Sequence, residues 1–134
     1  ADSVQGKNIV WATCTSPLVL SDSYKKAINL YQENVLKAKI NDSLITVEPF
    51  KRYLWDNNGP LNYKLGTNHV PSQQLPVFYF VTDGILIAER KNMIKWKYFH
   101  GINPYKMELE KIECVDIDDL LDLEKAKAWL NIGS

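Results

Sequence analysis

Val77-Phe78-Tyr79-Phe80-Val81-Thr82-Asp83-Gly84-Ile85-Leu86-Ile87-Ala88 decides the fold reading. Two β-branched and aromatic runs flank an Asp-Gly pair. That pair is a strong hairpin signal, because both central residues of a type I′ turn need positive φ. Both faces of the first run are apolar, so it reads as a central strand with a helix over one face. Lys91-Asn92 reads as the next turn. Ile94, Trp96 and Tyr98 then alternate with Lys95 and Lys97, a one-sided strand of period 2. Gly101-Ile102-Asn103-Pro104 turns again, and Tyr105, Met107 and Leu109 form the inward set of a last strand. The apolar phase then slips to Ile112 and Cys114, which predicts a β-bulge near Glu110-Lys111.

Upstream, Ile9-Val10-Trp11-Ala12 suits a first strand that Pro17 stops. Ser21, Asp22 and Ser23 offer N-cap oxygens. Tyr24, Ala27, Ile28, Tyr31, Val35 and Ala38 follow at helical spacing, one face of about five turns. Leu44 to Val47 is a short β-branched run stopped by Pro49. Between Arg52 and Lys64, two aromatic-bearing segments flank Asn57-Asn58-Gly59-Pro60, a looser hairpin, although Phe50, Tyr53 and Leu54 also fit a helical turn. Asp118-Asp119 starts a C-terminal helix, its acids placed at the positive end of the dipole. Leu120, Leu123, Ala126 and Leu130 are its expected inward stripe. The predicted class is α+β: an antiparallel meander packed with one long helix from the N-terminal half and a C-terminal helix, in a single domain of residues 1–134. The meander could also curl into a partial barrel.

The totals bound the function. A chain of 134 residues with 46% hydrophobic and 11% aromatic content can bury a full core. Sixteen basic and sixteen acidic residues cancel, which argues against a dedicated nucleic-acid binder. Lys95-Trp96-Lys97-Tyr98-Phe99 mixes cations with aromatics, but alternation sends the two sets to opposite faces of a strand. No run of about 18 apolar residues spans a membrane. The chain opens Ala1-Asp2-Ser3 without Met, as a mature exported protein or a trimmed domain would. The expected location is therefore periplasmic or secreted.

No catalytic set stands out. There is no Gly-x-Ser-x-Gly elbow and no Gly-rich phosphate loop. Asp118, Asp119 and Asp122 are explained by capping. His69 and His100 titrate nearest neutral pH and are the candidate pH sensors. With Cys14 and Cys114 they could make a Cys2His2 set, but no short ligand spacing supports one, so neither a metal nor another cofactor is expected. The two cysteines are compatible with one disulfide in an oxidising compartment. It would close a loop of about 100 residues and stabilise by about 4–5 kcal/mol on a chain-entropy account. Two separate buried thiols are the other reading; the Cys14–Cys114 bridge is the expectation carried forward. Phe78, Phe80, Ile87, Trp96, Tyr98, Tyr105 and Met107 either line an apolar ligand cavity or pack as plain core.

Two resemblances add to this. Trp11-Ala12-Thr13-Cys14 resembles the strand-to-helix approach of thioredoxins, and Leu75-Pro76 with the following strand resembles their cis-proline strand. Pro17 stands where the second thiol of a Cys-x-x-Cys motif would be, so the resemblance implies at most a monothiol redox site at Cys14. In size, exported-looking start, cysteine pair and strand organisation over Val77–Cys114, the chain resembles small periplasmic accessory proteins of the ToxS and PsaF class. These pair with membrane-bound transcription activators. That resemblance implies no enzyme activity, a protein partner in the periplasmic domain of a membrane-bound regulator, and a response to pH or a small amphiphile.

Overall fold

The computed structural model describes residue 1 and residues 3–132. The protein is α+β. In chain order it has β1 (Asn8–Ala12), α1 (Ser21–Tyr31), β2 (Ser43–Phe50), β3 (Trp55–Asp56), β4 (Gly59–Pro60), β5 (Phe78–Glu89), α2 (Arg90–Trp96), β6 (Pro104–Glu108) and α3 (Leu120–Ile132). Four strands form one mixed sheet in the order β1-β5-β2-β6, and β3 pairs with β4 in a small second sheet. The sheet is open, with β1 and β6 at its ends, so it is not a closed barrel.

The chain forms two compact units. The first comprises Ala1–Glu48 and, among the described residues, the chain from Val81 onward. Its core joins Ala27, Tyr31 and Val35 of the N-terminal helix to Leu44, Ile85, Ile87, Met107 and Leu109. The helical stripe read from the sequence is therefore the buried face at three of its positions, while Ile28 is exposed. The α-helix continues from Gln32 to Lys37 as a π-helical segment, and Lys39 then takes a left-handed φ of 54° that ends it. No Ser or Asp side chain caps its start. Leu20 is the N-cap residue, and its N–H donates to the buried carboxylate of Glu113 at 3.0 Å. A carboxylate from a distant turn thus satisfies the N-cap N–H and sets a negative charge at the positive end of the helix dipole.

The Asp83-Gly84 hairpin is not formed. β5 runs through that pair as one strand of 12 residues. Asp83 alone adopts positive φ, 53°, whereas a type I′ turn needs two such residues. The Asp83 carbonyl accepts the Thr13 hydroxyl. Gly84 serves a different need: a Cβ there would lie 3.1 Å from Val19 and 3.3 Å from Leu109. The glycine is set by close packing. Past it, Ile85, Leu86, Ile87 and Ala88 are all buried, as a strand between two neighbours must be. β1 lies antiparallel to it, with Val10 opposite Ile87.

The expected strand over Ile94–Tyr98 is the helix α2, ended by Lys97 at a left-handed φ of 55°. Met93 enters the core, and the Lys–aromatic alternation was a helical surface read with the wrong period. β6 is where the last strand was expected, and Met107 and Leu109 point inward. It pairs with β2 in parallel, Ser43 opposite Pro104, so the sheet is not a meander. No bulge follows at Glu110-Lys111. The chain leaves the sheet in a turn closed by Glu113 N–H on the Glu110 carbonyl at 2.8 Å. In α3, Asp119 Oδ1 accepts the N–H of Asp122 at 2.9 Å, the expected acidic cap. Of its predicted inward stripe only Ala126 is buried; Leu120 and Leu130 are exposed.

The second unit, Pro49–Phe80, contains the looser hairpin. Trp55 pairs with Pro60 and Asp56 with Gly59. The Asp56 carboxylate accepts the N–H groups of Asn58 and Gly59 at 2.7 and 3.0 Å. Those bonds hold its carboxyl below the usual carboxylate range. Phe50 stacks on Phe80 with centroids 4.1 Å apart.

Candidate functional site

In the first unit, β1, α2 and the N-terminal residues Ala1, Ser3 and Val4 border an open, mainly apolar cleft of about 510 Å³. Strand alternation brings Ile9 and Trp11 to one face of β1, and Val10 of the same strand also borders the space. The helix adds Met93 and Ile94, and the left-handed turn after it adds Lys97, Tyr98 and Phe99. Trp11 and Phe99 meet with centroids 4.6 Å apart and planes tilted by 52°. Tyr98 continues the aromatic row, 5.6 Å from Phe99. Both Trp11 and Phe99 stay about 40% exposed (41% and 38%), so the row is open to a ligand. Arg90 ties the N-terminal segment to the start of α2: its N–H donates to the Lys7 carbonyl at 2.9 Å, and its Nε to the Ala1 carbonyl at 3.0 Å. Among the described side chains lining the cleft, Lys97 alone carries a charge. An apolar wall with a lysine ammonium at its border is chemistry for holding an anionic amphiphile.

The residues expected to share a cavity are dispersed. Ile87 and Met107 are core, with Tyr105 packed against them. Phe78 and Phe80 lie in the second unit beside Phe50. Trp96 ends α2. Only Tyr98 of the seven borders the cleft. Sequence reasoning missed the cleft because it took Ile94–Tyr98 as a strand. The signal that could have found it is the aromatic pair Tyr98-Phe99, which follows the turn residue Lys97 at the end of α2.

The histidines lie in different units. His69 faces Tyr53, whose hydroxyl donates to the Val70 carbonyl at 2.6 Å. A hydroxyl has one proton, so His69 Nε2 donates to the Tyr53 oxygen, at 2.8 Å. His100 donates from Nδ1 to the Gly101 carbonyl at 2.8 Å and meets the Tyr98 ring edge-on at 5.0 Å. Both bonds use an N–H that imidazolium retains, so ring protonation breaks neither.

The Cys14–Cys114 bridge is not formed; both thiols are free. Cys14 is exposed in the turn after β1. Cys114 is half-buried, its sulfur against the carbonyls of Glu110 at 3.4 Å and Leu109 at 3.9 Å. Burial, then the charges of Glu48, Glu113 and Glu110, push its thiol up to about 11, so it stays protonated at neutral pH. It borders a shallower pocket of about 360 Å³ with Glu48, Asp116, Asp122, Lys111, Lys125 and Trp129. The first turn of α1 begins seven residues beyond Cys14, at Ser21, so the helix dipole does not act at that sulfur as in a thioredoxin site. Among the described residues no cis peptide bond occurs, and no three His, Cys, Asp or Glu side chains gather where a metal could bind. None of the described helices is long and apolar enough to cross a membrane.

No protein-family model matches the chain.

Proposed function

We propose that the protein is a non-enzymatic accessory domain of the cell envelope. It binds and steadies the periplasmic domain of a membrane-bound regulator and responds to a small anionic amphiphile. The cleft between β1 and α2 carries this reading: an open wall of Val10, Trp11, Met93, Ile94 and Phe99 with the Lys97 ammonium as its one side-chain charge. The tail of the amphiphile lies along the aromatic row, and its headgroup meets Lys97 in partly desolvated surroundings where a charged contact counts for more than in water. The resemblance to envelope accessory proteins supports the partner assignment.

The test is a titration of the intact protein with dodecanoate below its micellar concentration, followed by tryptophan fluorescence and calorimetry. One saturable site is expected. Ile94→Glu abolishes it, and Lys97→Gln weakens dodecanoate without weakening dodecanol. No saturable binding, or equal binding of a dodecyl ammonium ion, overturns the amphiphile assignment. A photo-crosslinker at Tyr98 in cells that make the protein tests the partner. The expected adduct is one membrane-anchored protein whose yield changes with dodecanoate; adducts with no membrane protein overturn the accessory role.

A further inference from the structure

The two ends of the sheet are built differently. β6, at one end, carries Pro104, which has no N–H to offer, and the exposed charges of Lys106 and Glu108. Those are the devices by which proteins stop an end strand from pairing with another chain. β1, at the other end, has none of them. Asn-Ile-Val-Trp-Ala contains no charge and no proline, and four of its five residues are exposed. One side of its backbone is satisfied by β5, Asn8 opposite Glu89 through Ala12 opposite Ile85. Its outer N–H and C=O groups have no strand beyond them among the described residues.

We infer that β1 pairs antiparallel, about a twofold axis, with β1 of a second copy of this chain. The strand is self-complementary in that register. Centred on Val10, it sets Ile9 against Trp11 of the second copy and Asn8 against its Ala12. Lys7 falls opposite Thr13, so no like charges meet. Ile9 and Trp11 share a face, and Phe99 packs behind Trp11, so the pairing extends the aromatic row from one copy to the next. A net charge of zero removes the long-range repulsion between copies. Because only one sheet end is open, pairing closes at two copies and an eight-stranded sheet.

Sedimentation velocity of the intact chain over a concentration series, without amphiphile, tests this independently of the cleft's ligand. The expected mass moves from 15.4 kDa to twice that value with rising concentration. Val10→Lys places two ammonium groups opposite each other and weakens the dimer by about tenfold or more. Circular dichroism checks that it folds. A second readout does not depend on that variant. With Cys14→Ser and Cys114→Ser in place, Val10→Cys forms a disulfide-linked dimer on mild oxidation, and Lys106→Cys on β6 does not. A monomer at every concentration, open-ended growth, a dimer indifferent to Val10→Lys, or preferential cross-linking through β6 overturns the proposal.

Discussion

The Thr46 hydroxyl on β2 holds both backbone polar groups of Ile85 on β5: it accepts the N–H at 2.9 Å and donates to the carbonyl at 3.2 Å. The Thr82 hydroxyl donates to the Thr46 hydroxyl oxygen at 2.9 Å. Thr46 is fully buried, and its one donor and two acceptor sites are all used. This is the joint that carries β5 past Asp83-Gly84 without a turn. Thr46→Val keeps the volume but strands the Ile85 groups and the Thr82 hydroxyl. The expected loss is about 2–4 kcal/mol, from two or more buried polar groups left unpaired. Urea unfolding reads it as a lower midpoint at unchanged slope. A loss below about 1 kcal/mol counts against the joint.

The parallel pairing of β2 with β6 is set by a second network. Asp42 Oδ2 accepts the Asn103 N–H at 2.9 Å, and Asp42 N–H donates to the Asn103 carbonyl at 3.1 Å. A Cβ on Gly101 would lie 2.3 Å from that carboxylate. Gly101→Ala is therefore expected to destabilise by about 1–3 kcal/mol through overpacking. In the Asp42→Ala background the same change should cost much less. Thermal unfolding of the four proteins in this cycle measures the difference, and simple additivity would exclude the contact.

Cys114 gives a prediction with a defined pH window. Its folded-state pKa is raised from 9.0 to about 11, chiefly by burial. The contribution it makes to stability is whole below about pH 9 and is lost as pH rises through 11. With a half-exposed sulfur, solvent screening limits it to about 1 kcal/mol or less. The difference in unfolding free energy between the parent and Cys114→Ala should narrow across that window and stay flat from pH 6 to 8. In the folded protein Cys14 should alkylate rapidly and Cys114 slowly. Equal rates would contradict the burial of Cys114.

His100, through Tyr98, is the histidine coupled to the cleft. His100→Ala removes the ring that Tyr98 packs against and should weaken dodecanoate binding severalfold. His69→Ala should leave it intact, because that ring bonds Tyr53 in the other unit. Calorimetric titration of both variants checks this; equal affinities in the two would exclude the coupling of His100 to the cleft.

Local pattern was sufficient where one element settles its own structure. β1, the buried positions Ala27, Tyr31 and Val35, the Asn57-Asn58 hairpin, the inward side chains of β6 and the acidic start of α3 all follow from periodicity and capping. Those are decided by contacts a few residues apart. The candidate site was legible only in Tyr98, because its walls come from segments about 80 residues apart. What only the tertiary structure decided are the places where one residue type serves two purposes. Gly84 reads as a turn but is glycine because Val19 and Leu109 leave no space for a Cβ. The alternating Lys and aromatic residues read as a strand but wind into α2, where Met93 gains a core position. The register of β6 against β2 rests on Asp42 and Asn103, whose meeting no local pattern announces. Sequence therefore determined the class of fold and most of its core, through short-range sterics and periodic burial. Long-range packing and hydrogen bonding determined the strand order, and with it the cleft and the open edge of β1.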